Sequence, residues 1–411
     1  MASFSTALSG LQANTTALDV VGNNLANMNT QGFKSDNILF EDAMNEASAT
    51  LQVGAGVGQT ITNTNFSQGN ITNTGQALNL AIQGGGFFVV QNSAGQTMYT
   101  RDGNFSLNSQ GQLVDSSGDQ VQGWMAANGQ VNPSGGAAGI TVPLLSSLPP
   151  VATGNMSLSA NLNANAATGD TFSTPVQVYD SLGNAQTLTV TFTNTGAGAW
   201  SYNVQIPGQD LQGGTAGTLT SIATGSLAFN SSGVLTSPAS GKPVNITNKT
   251  ALADGAATLN INWNLYDSSN NPTVTQFAET SAASGTTQDG SAAATVTGVS
   301  LENGGLMVAT YSNGTQKNLA QVALASVSNP NTMIATSNNN YLAGPGTIAP
   351  SVGAAGTGGR GNLVGQSLEA SNVDMATQFT NLIVYQEGYE ANSKVLTTVD
   401  QMDQTLLAIN P

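Results

Sequence analysis

Apolar residues follow one period at the two ends of the chain and another in between. Near the N-terminus, Phe4, Leu8, Leu11, Leu18 and Leu25 keep a four-three spacing, with Thr15 and Gly22 at the remaining positions of that seam. Val21 and Met28 widen the stripe. This is the period of a helix lying along other helices. Asn29-Thr30-Gln31-Gly32 is expected to stop that helix and redirect the chain, the glycine supplying a left-handed cap. Toward the C-terminus, Val395, Val399, Met402, Leu406 and Ile409 repeat the spacing, and Phe379, Leu382, Ile383, Tyr385 and Tyr389 carry an apolar face upstream. No proline falls between Asn372 and Asn410, and Asp374 lies near the favourable start, so one helix is expected over about 372–409.

The middle alternates with period two, as half-buried strands do. In "PVQVYDSLGNAQTLTVTFTN", Val176 to Tyr179 reads as a strand, Asp180 to Asn184 as a turn, and the rest as strict alternation. Leu188, Val190 and Phe192 share one face; Thr187, Thr189, Thr191 and Thr193 share the other. Trp200, Tyr202, Val204 and Ile206 continue the pattern. Asn313-Gly314 marks another hairpin, and 105–113 and 227–235 share a strand, an Asn-Ser-x-Gly turn and a strand.

Punctuation at 146–151, 282–294 and 353–362 suggests a nested chain. The expected fold class is mainly β with a terminal α-helical coiled pair, in several domains whose inner members are discontinuous. Residues 1–30 and 372–411 form the helical part, 31–74 a linker or extended arm, 75–147 and 288–371 an inner β domain, and 148–287 an outer β domain.

Composition narrows the chemistry. The 411 residues suffice for roughly two to four domains of ~100–200 residues. Only 7% are charged, against about 25% in ordinary globular proteins, and Asn, Gln, Ser, Thr, Gly and Ala fill the deficit. The net charge of −15 argues against unspecific binding to nucleic acid or anionic lipid. The seven basic residues, Lys34, Arg101, Lys242, Lys249, Lys317, Arg360 and Lys394, are scattered along the sequence. Without Cys or His there are no disulfides, thiolate or imidazole metal sites, or Ser-His-Asp and Cys-His catalysis. No run approaches ~18 apolar residues, so no membrane-spanning helix is expected. The first 30 residues do not read as a cleavable secretory signal, so the chain is expected either to stay in the cytoplasm or to leave by a route that keeps its N-terminus.

Three stretches offer candidate sites. Asp115 to Asp119 and Asp180 to Asn184 resemble fragments of calcium loops but lack the spaced carboxylates and terminal Glu of an EF-hand, and read as turns. "IQGGGFFVV" lacks the phosphate-binding spacing and precedes a strand, so its glycines are expected to serve close backbone approach or a bulge. Glu387 and Glu390 stand at helical spacing on a polar face. No catalytic residue, metal or cofactor is expected, and the helical stripes fit either core helices of a compact monomer or a terminal pair used in assembly.

Longer motifs decide between these. "STALSGLQANTTALDVVGNNLANMNTQGFKS" resembles the N-terminal signature of bacterial flagellar rod, hook and hook-associated axial proteins. "SLEASNVDMATQFTNLIVYQEGYEANSKVLTTVDQMDQTLLAI" resembles their C-terminal signature, and "GGGFFVV…YTRDGNFSLNSQGQLV" their shared β domain. The segments 178–192 and 296–327 are similar to the hook members of the family, which carry an outer domain that distal-rod members lack. The family usually has Arg where Glu387 follows Gln386 here, and the cysteine cross-link of some members is excluded.

The resemblance implies a structural subunit that polymerises into a curved tube, a universal joint between motor and filament. Implied partners are further copies of the chain, the distal rod, the hook cap, the hook-filament junction proteins and the type III export apparatus. The implied location is extracellular, in the flagellar hook and basal body. A distal-rod or junction role, or an extracellular β-rich adhesin, is the alternative. The expected assembly interface comprises Phe4, Leu8, Leu11, Leu18, Val21, Asn23, Asn24, Leu25, Asn27, Met28, Phe379, Ile383, Tyr389, Asn392, Val395, Val399, Met402, Leu406 and Ile409. Asn29, Thr30 and Gly32 form its hinge. Asn23, Asn24 and Asn27 are expected to bond partners on adjacent helices, where a charge would be costly.

Overall fold

The computed structural model describes residues 2–44, 54–127, 129–143, 147–196 and 198–409. It is mostly strand, with a helix toward each end: α1 (Ala2–Ala26) and α2 (Met375–Ile409). Its Cα atoms cluster into two units, one of Met1–Leu144, Gly298–Thr310 and Gln316–Pro411, the other of Leu145–Thr297 and Tyr311–Thr315.

Both helices are slightly shorter than the sequence predicts. α1 ends at Ala26 rather than about 30, because Asn27 and Thr30 turn to local bonds. The Asn27 amide donates to the Asn23 carbonyl at 3.0 Å, and the Thr30 hydroxyl to Asn27 Oδ1 at 3.1 Å. Asparagine competes with the helical ladder in this way. α2 starts at Met375 rather than 372, because Asp374 caps it by accepting the Thr377 N–H at 2.7 Å. The segment 31–74 carries an antiparallel hairpin, β1 (Asp36–Met44) with β2 (Gly54–Thr64).

In the first unit, a large sheet runs from Gln316–Val322 through Gln120–Ala127, Phe87–Gln91 and Thr97–Thr100 to Asn340–Leu342. Leu80, Ile82, Phe88, Val90, Leu113, Val121 and Ile140 fill its core. Phe87, Val89, Tyr99 and Tyr341 form a second cluster, where Phe66, Phe87 and Tyr341 meet edge to face at 5.4–5.9 Å. The glycines at 84–86 allow close backbone approach: the Gly361 N–H donates to the Gly85 carbonyl at 2.6 Å, and a Cβ on Gly86 would lie 3.1 Å from the Ala325 carbonyl oxygen.

The second unit is a pair of five-stranded sheets. One is built on Asn155–Asn163, which pairs Asn260–Asn264, Val274–Phe277 and Ala282–Gln288, with Val244–Thr247 at its side. The other orders Thr171–Tyr179, Ala185–Gly196, Ala199–Pro207, Leu219–Phe229 and Leu235–Ser237 antiparallel. Leu188, Val190, Phe192, Trp200, Val204 and Trp263 are all within 1% of full burial in a single core. None of these ten strands contains a charged residue. The unit's charges, such as Asp170, Asp180, Lys242, Lys249 and Asp267, sit in the connections.

One turn recurs through both units. Asn92, Asn108, Asp115, Asp180, Asn230 and Asp267 each use Oδ1 to accept the N–H groups two and four residues on, at 2.8–3.1 Å. The third residue on is left-handed in each case: Gly95, Gly111, Gly118, Gly183, Gly233 and Asn270. The two calcium-like stretches are therefore turns whose carboxylates already hold backbone donors.

The alternation predicts a two-faced response to truncation. Leu188→Ala should cost the second unit about 2–5 kcal/mol, whereas Thr187→Ala, on the exposed face, should change it by less than ~0.5 kcal/mol. Urea unfolding followed by tryptophan fluorescence reads both; equal effects would contradict the assigned faces.

Candidate assembly surface

α1 carries two apolar stripes, and the chain packs the smaller one inside. Ala7, Ala13, Ala17, Val21 and Asn24 are at most 4% exposed, and Gly10 is buried with them. The buried set 7, 10, 13, 17, 21, 24 keeps helical three- and four-residue steps and runs beside the stripe of large residues. Small side chains let two helix backbones approach closely, and α1 packs along α2 on this side.

The large residues face outward. Phe4 and Leu8 are exposed, while Leu11, Leu18, Leu25 and Met28 are half-buried; Val21 alone of the expected apolar set on α1 is buried. On α2, Phe379, Ile383, Tyr389, Val395 and Met402 are exposed, while Asn392 and Val399 are half-buried. The side chains of Leu406 and Ile409 lie outside the described residues. Sequence reading did not single out Leu39, Phe40, Ile61 and Val384, which are also exposed and sit on β1, β2 and α2. Val395 and Val399, with Ala391, Lys394 and Thr398, line an open, largely apolar groove of about 400 Å³.

The asparagines divide by role. Asn24 is 1% exposed; its Nδ2 donates to the Asp36 carbonyl at 2.8 Å and to Gln378 Oε1 at 3.1 Å, and its Oδ1 accepts the Asp36 N–H at 2.9 Å. It thus ties α1 to α2 and to the first residue of β1. Asn23 is exposed and Asn27 half-buried, and within the chain they bond each other along α1 rather than reaching another helix. Asn29 is exposed and Thr30 half-buried in the turn after α1. Gly32 is buried at a φ of +67°, and a Cβ there would stand 2.7 Å from the Arg101–Asp102 peptide.

Just beyond Gly32 lies a cluster that the sequence hid. Lys34 and Arg101, 67 positions apart, converge on Glu369. Lys34 Nζ is 2.6 Å from Glu369 Oε1, and Arg101 Nη1 is 3.1 Å from Oε2, with side chains 0%, 4% and 0% exposed for Lys34, Arg101 and Glu369. Glu369 Oε1 also accepts the Gly69 N–H at 2.8 Å, and Lys34 Nζ donates to the Ser67 carbonyl at 2.8 Å. Arg101 Nη2 donates to the Gly84 carbonyl at 3.0 Å, and its guanidinium lies 5.2 Å from the Phe87 ring centroid. Burial pulls the Lys34 ammonium below its ordinary value; the Glu369 bond and charge oppose that shift, and the Arg101 charge adds to it. Asn372 closes the same knot, accepting the Ser35 N–H at 2.8 Å and donating to the Asn65 carbonyl at 2.7 Å.

Known proteins share this order of parts. Four family models match: "Flagella basal body rod protein" over residues 4–34, "Flagellar hook protein FlgE/F/G D1 domain" over 81–197, "Flagellar basal body protein FlaE D2 domain" over 152–291, and "Flagellar basal body rod FlgEFG protein C-terminal" over 364–409. The flagellar hook protein FlgE of Salmonella typhimurium is 33% identical, across 98% of this chain and 99% of its own. That of Escherichia coli is 32% identical over the same shares, and that of Treponema pallidum 30% identical across 100% of this chain and 99% of its own. A crystal structure of Helicobacter pylori flagellar hook protein FlgE2 aligns with a TM-score of 0.48 at 14% identity, covering 66% of this chain and 93% of that one.

The cluster's geometry sets an order of mutational cost. Glu369→Gln leaves two buried cations without their anion and should cost the first unit about 3–5 kcal/mol. Lys34→Met keeps the Arg101–Glu369 pair and should cost clearly less. Thermal unfolding of both variants checks this; a larger loss for Lys34→Met would show that the carboxylate is not the centre of the knot.

Proposed function

The chain belongs to the flagellar hook protein FlgE family, and from that premise we propose how its surfaces build and bend the polymer. It is a structural subunit of the bacterial flagellar hook and not an enzyme, and it self-assembles into the curved, flexible tube that carries motor torque to the filament. Residues 1–30 and 372–411 are its assembly region, 31–74 an arm, 75–147 with 288–371 the inner β domain, and 148–287 the outer one.

The observation that carries the assembly reading is the outward apolar ridge. α1 and α2 spend their small residues on each other and leave Phe4, Leu8, Phe379, Ile383, Tyr389, Val395 and Met402 uncovered. Large apolar side chains exposed in this number on two helices are unfavourable on a monomer and are removed from water when copies stack. Leu11, Leu18, Leu25, Met28 and Val399 border the ridge and complete the interface, while Asn392 turns inward over Gly10. Asn29, Thr30 and Gly32 turn the chain from the helix into the arm. The chain is exported by the flagellar type III apparatus without a cleaved signal, adds beneath a cap, and joins distal rod below to junction proteins above.

Bending requires axial neighbours to change spacing on every revolution. Contacts made by Ser, Thr, Asn and Gln exchange hydrogen bonds with water at a modest net cost of ~1 kcal/mol or less each. Buried ion pairs are costlier to break. The charge-free strands of the outer domain supply such neutral contacts, and a chain of net charge −15 has reason to present neutral faces to its own copies.

Two measurements bear on this. Leu8→Asp with Ile383→Asp should leave the folding of both units within ~0.5 kcal/mol of the parent, because both sites are exposed, yet abolish tubes seen by electron microscopy. Normal tubes would sink the ridge as the assembly surface. Complementary charges on the outward sheet faces, such as Thr187→Lys with Asn245→Glu, should stiffen the tube; bending stiffness equal to the parent's would count against neutral sliding contacts.

A further inference from the structure

Two contacts between α1 and α2 repeat each other with the helices exchanged. At one, the Asn14 amide lies over Gly388, where a Cβ would fall 2.8 Å from Asn14 Oδ1. At the other, the Asn392 amide lies over Gly10, where a Cβ would fall 2.8 Å from Asn392 Oδ1 and 2.9 Å from its Cγ and Nδ2. Each asparagine also covers its own helix's glycine carbonyl. Asn14 Nδ2 donates to the Gly10 carbonyl at 2.7 Å, and Asn392 Nδ2 donates to the Gly388 carbonyl at 2.8 Å. Each helix therefore carries Gly-x-x-x-Asn, and each glycine receives the other helix's asparagine.

We propose that this reciprocal clasp sets the axial register of the helix pair. The rest of the buried stripe on α1 is mostly alanine and specifies register weakly, because one alanine presents nearly the same surface as the next. The clasp is different. A slip of one helical turn, about 5.4 Å, sets Asn14 against Val384 or Asn392 in place of Gly388, and Asn392 against Thr6 or Asn14 in place of Gly10. Each alternative puts a side chain where the amide must lie. The Asn24–Gln378 bond at 3.1 Å fixes the far end of the pair in the same antiparallel order. Within the hook-subunit reading, on which this consequence rests, the register also aligns the ridge of Phe4 and Leu8 with that of Tyr389 and Val395. Asn14 and Asn392 are then positioning residues for assembly, acting through helix alignment rather than by touching the neighbouring copy.

The test exchanges the two halves of one contact. The chain has no cysteine, so probes on Gln12→Cys and Glu390→Cys, both exposed, report the helix-to-helix distance by pulsed electron spin resonance in the full-length protein. The parent should give a single narrow distance. Gly388→Asn, which sets two asparagines in one place, should shift or broaden it by about one helical turn and lower the tube yield at least tenfold. Adding Asn14→Gly should return both readings to the parent's, since the amide now comes from the opposite helix. An unchanged distance in Gly388→Asn, or no recovery in the exchanged pair, overturns the clasp. A parent and an exchanged pair that share the narrow distance but form no tubes would uphold the clasp and overturn the assembly reading.

Discussion

A single buried carboxylate holds the first unit together at the point where its chain segments cross. Glu369 draws Lys34 from beyond α1, Arg101 from the β domain and the Gly69 N–H from the arm, and it stands just ahead of α2. Taking three ionised groups out of water is expensive, and only dense pairing and hydrogen bonding offset it. That cost is also what makes the knot specific. No other charged group among the described residues makes a salt bridge. Gly32 and Asn372 are then constrained in turn. Gly32 must lack a side chain to fit against the Arg101–Asp102 peptide, and Asn372 must bond the Ser35 and Asn65 backbones.

Elsewhere the fold is assembled from neutral parts. The Asx turn with two backbone donors on one oxygen supplies six of the strand connections, and it works with Asn or Asp alike. Aspartate at these positions is a turn residue first and a charge second. This explains how a chain with so few charged residues still places several of its acids at strand ends, leaving the strand faces to Ser, Thr, Asn and Gln. Cross-strand bonds such as Ser173 Oγ to Thr191 Oγ1 at 2.9 Å run along those faces.

Much of this was legible in the sequence because it is periodic or local. The alternation of Leu188, Val190 and Phe192 gave the faces of the outer sheet, Asn313-Gly314 gave a hairpin, and the glycines at 84–86 gave a close approach. The ion cluster was not legible, since Lys34, Arg101 and Glu369 are far apart in sequence and nothing in their local context marks them as buried. The inner seam of α1 was missed for a different reason. Both stripes were present, but large residues dominate an apolar count, and the inner stripe of Ala, Gly and Asn scores low. Of the asparagines that stood out, Asn24 proved to be a tertiary tie; Asn14, which did not, sits opposite a glycine.

The choice of small residues for the inner seam follows from what the helices must do outside it. A pair sealed by leucines would bury most of its apolar surface within one chain and keep little to offer a neighbour. A pair held by close backbone approach, amide clasps and an Asn–Gln bond stays together through short-range contacts of modest apolar area. Its larger side chains remain outside, where, on the assembly proposed above, each added copy would remove more of them from water. Such an arrangement divides labour by size. Glycine, alanine and asparagine line the contact between the two helices, while on that proposal phenylalanine, leucine, isoleucine and valine supply the driving force for stacking. The division also separates the consequences of mutation, because a change in the inner seam alters geometry, whereas a change on the ridge alters affinity with the geometry intact.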